Sequence, residues 1–264
     1  VQTERNAAKY DFNSQPGGRV DHNQFGQPIG AVLEGWQPAG EPGKQTLQGR
    51  FCCLQPMDIA RRAEELFHAY QLAEDGRDWT YLSSERPTEL AVFQQYLQRQ
   101  LAIQGRNTLA VIDATSGKAV GTCAFLNIDQ PNGVVELGMI NWSPLMKQRA
   151  MGSEAIFLML KHAFDELGFR RCEWKCDRLN APSREAALRL GFTFEGTFRQ
   201  AMTRKGRNRD TDWLSIIDGE WPLLREAFTA WLSPLNIATD GQQKQRLAAF
   251  RPLPGKPASM PVPE

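Results

Sequence analysis

The chain has 264 residues, 41% of them hydrophobic, and a formal net charge of +1. That length suffices for one substantial core, and the near-neutral charge argues against a general grip on nucleic acid. No apolar run approaches a membrane span and no N-terminal signal pattern is visible, so a cytoplasmic protein without a membrane partner is expected.

Residues 1–45 are rich in Gly, Pro, Gln and Asn and lack periodicity, which predicts a loop-rich extension. Phe25, Ile29, Val32, Leu33 and Trp36 are candidates to staple it to a domain surface. The first residue is Val, as expected where a native start is missing. A strand is predicted over 47–54. A helix follows over 57–70, with Ile59, Ala63, Leu66, Phe67 and Tyr70 on one stripe. After a loop carrying Trp79 and Tyr81, a second helix is predicted over 88–101. Strands over 108–113 and 119–128 flank the turn signal "TSGK", and "QPNG" leads into a strand over 134–142.

A long helix is predicted over 147–167. Its apolar residues, from Met151 to Phe164, cover more than one face, the pattern of a well-buried helix. The strand "RRCEWKC" and a short helix after "DRLN" come next. Both central helices stop at Leu-Gly-Phe, where Gly can take the left-handed conformation of a helix end. Strands over 192–203 and 212–217 read as a hairpin across "RKGRNRD", and a helix over 220–231 closes the domain. The domain is expected over 46–232, with a Pro-rich tail over 233–264. The order β-α-α-β-β-β-α-β-α-β-β-α predicts an α/β (α+β) fold. Its mixed, mostly antiparallel central sheet has about seven strands, with helices on both faces.

The five Cys are odd in number and lack Cys-x-x-Cys spacing, and the three His are scattered, so no metal site is expected. Free buried thiols in a reducing compartment fit this usage.

Two helix starts carry the chemical signal. In "NWSPLMKQRAMGSEA", Pro144 breaks a strand, and Lys147, Gln148 and Arg149 precede the small residues Ala150, Gly152 and Ser153. Backbone N–H groups at a helix start lack internal partners and face an incoming anion, which small side chains let approach. One crossover later, Asn180 and Ser183 open the next helix. Alone, each stretch reads as ordinary helix punctuation. Together they follow adjacent strands, so their N-termini can flank one crevice.

The element order, "KQRAMGSEA" and "NAPSREAALRLGF" resemble the GCN5-related N-acetyltransferases, in particular the RimJ/RimL-like branch, over about residues 47–232. The resemblance implies acetyl-CoA as co-substrate, with no metal. Its diphosphate would sit on the backbone amides of Lys147, Gln148, Arg149, Ala150, Met151, Gly152 and Ser153. The family pattern Gln/Arg-x-x-Gly-x-Gly/Ala is altered here to Lys at the first position and Ala at the first Gly. Asn180 matches an Asn that contacts the pantetheine arm. The Tyr that many relatives place seven residues later is Ala187. Ser183 instead matches the Ser proposed in this branch to protonate the departing thiolate.

The implied reaction is attack of a primary amine on the thioester. A lysine-like amine, with a pKa of about 10.4, is neutral in roughly one part in 10³ at pH 7, so a base has to remove a proton. Glu136, on the strand leading into the diphosphate turn, is the candidate base; the alternative is an exposed strand carboxylate. The backbone of Met139, Ile140 and Asn141 is a candidate to pair with pantetheine, and an N–H of Met139 or Ile140 to meet the oxyanion. Trp79, Tyr81, Asp210 and Trp213 are candidates for the acceptor side. The cluster of Arg204, Lys205, Arg207 and Arg209 reads either as a solvated hairpin or as a device for an acidic acceptor or CoA's extra phosphate. The expected enzyme is an acyl-CoA-dependent N-acetyltransferase, monomer or homodimer, acting on a protein N-terminus or a small amine. The other reading is a non-catalytic acyl-CoA-binding or regulatory module.

Overall fold

A computed structural model describes residues 20–238 and 242–251. The chain divides into two compact units, Val1–Gln37 and Pro38–Glu264. In the first, Val20–His22 (β1) and Pro28–Gly30 (β2) pair antiparallel where composition predicts no element. The Asn23 carboxamide oxygen accepts from the N–H of Phe25 and Gln27 at 2.9 and 3.0 Å, a local turn that propensity hides among polar residues. Phe25 and Val32 are each 76% exposed.

The second unit runs through Leu47–Gln48 (β3), Cys52–Pro56 (β4), Ile59–Gln71 (α1), Leu90–Leu101 (α2), Asn107–Asp113 (β5), Ala119–Asp129 (β6) and Val134–Trp142 (β7). It continues through Ala150–Lys161 (α3), Arg171–Asp177 (β8), Ala181–Leu190 (α4), Thr193–Arg204 (β9), Arg207–Ile217 (β10) and Trp221–Trp231 (α5). The strands form one sheet in the order β3-β4-β5-β6-β7-β8-β10-β9. Only β7 and β8 are parallel, because α3 is the crossover between them. The expected mixed sheet is therefore present, with eight strands rather than about seven.

Side-chain alternation on β5 shows why helices cover both faces. Leu109 and Val111 enter the core under α3 and α5, whereas Ala110 and Ile112 enter the core under α1 and α2. Asp58 caps α1 by accepting from the N–H of Arg61, and α4 ends at Gly191 with φ of 106°.

Four boundaries differ from the sequence reading. The strand expected over 47–54 is two strands, because the N–H groups of Arg50, Phe51 and Cys52 turn onto the Glu154 carboxylate of α3. The helix expected from 147 begins at Ala150, since Gln148 has φ of 58° and interrupts it, and its last turn, His162–Glu166, is a π-turn. The hairpin loop shrinks to Lys205 and Gly206, both left-handed, so β10 starts five residues earlier than expected. The presumed tail packs in part: Leu247 is buried beside α5, and the Trp231 indole N–H donates to the Gln245 carbonyl at 3.0 Å. Residues 252–264 of that expected tail lie outside the described residues.

Candidate active site

The sheet is split at its parallel pair. β7 and β8 keep register only from Val134 to Glu136 against Arg171 to Glu173. β8 then stays paired to β10 as far as Asp177, while β7 bulges at Met139, whose φ is 52°. A cleft of about 470 Å³ opens between the separated ends. Met139, Ile140 and Asn141 line its β7 wall, and Trp174 and Cys176 its β8 wall. The Asn141 carbonyl is already taken by the Tyr70 hydroxyl at 3.1 Å. A ligand strand is left with the remaining backbone of Met139–Asn141, a short sheet edge inside the molecule.

At the cleft end where β7 stops, α3 begins. Arg149 is its N-cap and makes no side-chain capping bond, so the first amides of α3 have no side-chain acceptor. Gly152 lies close to Trp142: a Cβ there would meet the indole Nε1 at 3.2 Å. Met151 and Ser153 are buried, and Ser153 Oγ accepts from Arg189 at 3.1 Å. The side chains of these residues are thus committed to packing, and only their backbone is available to an anion. Lys147 lines the cleft but pairs with Asp78 at 2.5 Å, which partly neutralises it. Open amides and a split sheet fit a long ligand with a diphosphate at one end and an amide-bearing arm.

α4 starts on the opposite wall. Asn180 is its N-cap and accepts from the Ser183 N–H at 3.3 Å. The Ser183 hydroxyl oxygen in turn accepts from the Trp174 indole N–H at 3.0 Å. Burial, then Asp212, pushes the nearby Cys176 thiol up to about 11, and the Ser183 hydroxyl opposes that shift. The helix start therefore holds a polarised O–H inside the cleft.

Glu136 is 7% exposed at the closed end of the split. Its Oε2 accepts from Asn127 at 2.6 Å and pairs with Lys175 at 2.9 Å. Lys175 also meets Glu173 at 2.9 Å and lies 3.9 Å over the Trp213 ring. Lys175 is held above its ordinary value: burial pulls it down, and the two carboxylates outweigh burial. Glu136 Oε1 faces the Gly138 position, where a Cβ would stand 3.4 Å away. One carboxylate oxygen is thus engaged, and the other lies beside Gly138, where the Leu126 side chain fills the space that a Cβ would take.

The acceptor candidates separate. Tyr81 lines the cleft and spans it, its hydroxyl donating to the Leu179 carbonyl at 2.9 Å. Trp79 is 2% exposed, packed edge-on against Tyr70 and Tyr96 in the core under α1 and α2. Asp210 accepts from the Gln200 N–H and from Asn208 outside the cleft. Trp213 stacks on Phe198 and reaches the site only through Lys175. Residues that the sequence reading passed over are Asn127, Trp174, Lys175 and Arg106. Period-2 alternation puts Glu173 and Lys175 on one face of β8, and that signal was available; the pairing of that face with Glu136 required the β7–β8 register.

A parallel pair split by a bulge, with a bare helix start at one end and a held hydroxyl on the far wall, is a geometry that suits an acyl-CoA-dependent acyltransferase. The chain belongs to the GNAT family, since the family model described as an acetyltransferase (GNAT) domain matches residues 53–193. Acetyl-CoA is accordingly its acyl donor. A crystal structure of a GCN5-related N-acetyltransferase from Brucella melitensis is 43% identical, with a TM-score of 0.81, over 83% of this chain and 99% of that one. The uncharacterized N-acetyltransferase p20 of Bacillus licheniformis is 31% identical over 126 residues, 46% of this chain and 68% of that protein. YdaF of Bacillus subtilis (strain 168), named as a candidate ribosomal N-acetyltransferase, is 26% identical over 64% of this chain and 90% of its own length. Among the described residues, no helix is long and apolar enough to cross a membrane, and no group of three or more His, Cys, Asp or Glu is arranged to hold a metal ion.

Proposed function

We propose that this enzyme acetylates the α-amine of a protein N-terminus, with Glu136 relaying the amine's proton and Ser183 donating to the departing thiolate. The observation that carries this reading is the pair of groups lining one cleft: the Glu136 carboxylate, held through one oxygen at its closed end, and the Ser183 hydroxyl, held by Trp174 at the start of α4. The name of YdaF supports a protein acceptor. Chemistry supports an α-amine: with a pKa of about 7.7–8.0 it is neutral in roughly a tenth of molecules at pH 7, against about one in 10³ for a lysine. A carboxylate already paired with Lys175 is suited to the smaller task.

The other roles follow from position. The first amides of α3 hold the diphosphate, and the Met139–Asn141 backbone pairs with pantetheine. Asn180 orients the arm near the thiol. An N–H of Met139 or Ile140 at the bulge meets the oxyanion. The Trp174 N–H stabilises charge on Ser183 Oγ as its proton leaves.

Calorimetric titration with acetyl-CoA, followed by peptide acetylation monitored by free CoA, tests this. Wild type should bind, and Gly152→Arg should weaken binding at least about ten-fold, since a bulky side chain would displace the anion from the helix start. A thermal melt confirms that the variant is folded. Unchanged affinity in a folded Gly152→Arg protein would place the diphosphate elsewhere. Acetylation of lysine side chains but not of N-termini would refute the acceptor assignment.

A further inference from the structure

The cleft carries five cations, Arg106, Lys147, Lys175, Arg204 and Arg209, against the carboxylates of Asp78, Glu136 and Asp177. Asp78 is engaged by Lys147 and Glu136 by Lys175. Asp177 accepts from the Leu179 N–H at 2.9 Å. Among the described residues, Arg106 donates only to the neutral Gln100 at 2.7 Å, and Arg204 only to the Met202 sulfur at 3.5 Å. The Arg209 Nε is buried with no hydrogen-bond partner among the described residues. Among the described residues, none of these three arginines forms an ion pair.

The arginines reach one place from two elements. Arg106 precedes β5, whereas Arg204 and Arg209 lie on the β9–β10 hairpin. Register sets Arg204 opposite Arg207 and Met202 opposite Arg209, so like charges share one face, an arrangement that costs stability without an anion. Burial, then Arg204, holds Arg209 below its ordinary value, with Asp177, Cys176 and Glu136 opposing; burial likewise holds Arg106 low, with Arg204 adding to it and Tyr96 and Glu136 opposing. Arg106 and Arg204 also act together on the buried Tyr96 hydroxyl. The hairpin tip is fixed in place: Lys205 Nζ donates to the Trp79 carbonyl at 2.8 Å and pairs with Glu85 at 3.0 Å.

We propose that Arg106, Arg204 and Arg209 form an anion subsite that recognises a carboxylate on the acceptor, close to the amine that Glu136 serves. The inference rests on the acetyltransferase reading above and names its substrate class: an N-terminus followed by acidic residues. Guanidinium groups bind carboxylates in bidentate fashion, and a partly desolvated cluster makes that contact strong. The subsite flanks Glu136, whereas the diphosphate turn lies beyond the other end of β7. This position favours the acceptor over the phosphates of CoA as the source of the anion.

The test uses the full chain loaded with CoA and three tripeptide amides that begin with serine, followed by two aspartates, two asparagines or two lysines. Calorimetry measures binding, and CoA release from acetyl-CoA measures turnover. The aspartate peptide should exceed the asparagine peptide by about ten-fold or more in affinity and in kcat/KM, with a preference that shrinks as salt rises. Arg106→Gln and the double variant Arg204→Gln with Arg209→Gln should reduce that ratio to within about two-fold, with the CoA dissociation constant unchanged. Arg209→Lys, which keeps charge but loses the fork, should retain part of it.

Equal binding of the aspartate and asparagine peptides would overturn the subsite and leave the acetyltransferase reading intact if both are acetylated. Weakened CoA binding in the variants, with the aspartate preference retained, would also overturn it and assign the arginines to a phosphate. Arginine-dependent binding of the aspartate peptide with no acetylation of any peptide would uphold the subsite and overturn the catalytic reading.

Discussion

Ser183 does two jobs that the same local geometry makes compatible. Its backbone N–H is capped by Asn180, which fixes the first turn of α4, and its hydroxyl oxygen takes the Trp174 N–H. Ser183→Ala should therefore lower kcat about 10²-fold, the usual worth of a positioned proton donor, with acetyl-CoA affinity within about two-fold of wild type. Ser183→Thr should recover part of the loss. Glu136→Gln should lower kcat by a similar factor while leaving Lys175 paired to Glu173. Single-turnover CoA release at saturating acceptor checks both, and an unchanged rate in either variant would remove that residue from the chemistry. Asn180 and Ser183 were legible because caps are local signals. Trp174 and Lys175 were not, because their roles depend on what lies opposite them.

At the scale of elements, α3 is fastened to the first hairpin of the sheet by one side chain. Glu154, 3% exposed, accepts from the N–H of Arg50, Phe51 and Cys52 at 2.8, 2.7 and 2.9 Å. Glu154→Ala leaves three backbone donors without that partner and should cost about 3–5 kcal/mol in urea unfolding. A loss below 1 kcal/mol would show that water replaces the carboxylate at little cost. Glu154 looked like one polar residue in an apolar helix, so the split of the expected strand over 47–54 was not readable. The β9–β10 hairpin was read too short for a related reason. Its outer half is polar on both strands, and only the left-handed turn at Lys205 and Gly206 fixes the pairing.

Over the whole molecule, titration bounds stability on both sides. Glu166 and Glu195 are held low first by His162 and Arg171, respectively. For Glu65, burial acts upward and is outweighed by the Ala119 N–H and Arg62. Below about pH 4.3 the unfolded chain takes up protons that these folded carboxylates resist, so stability should fall as pH drops through their lower folded values. On the alkaline side, burial raises the thiols of Cys52, Cys123, Cys172 and Cys176. Above about pH 8.5 the unfolded thiols ionise first, and stability should fall again. Melting temperature against pH should thus show a plateau between about 5 and 8. Replacing Glu195 with Gln should flatten the acid limb, and replacing Cys123 with Ala the alkaline one. Limbs that do not respond would assign the pH dependence to other groups.

The sequence by itself determined the order of the helices and main strands, the turn that leads into α3 and the helix start at 181, and with them the family. Hydrophobic period, caps and turn residues act over a few positions and survive without a partner in view. Tertiary structure alone decided which polar residues meet. The β7–β8 register joined Glu136 to Lys175, core packing claimed Trp79, and the hairpin carried Arg204 and Arg209 to the same cleft as Arg106. Such encounters depend on which face each strand presents and where pairing stops. A one-residue slip would reverse them, and local pattern does not encode them.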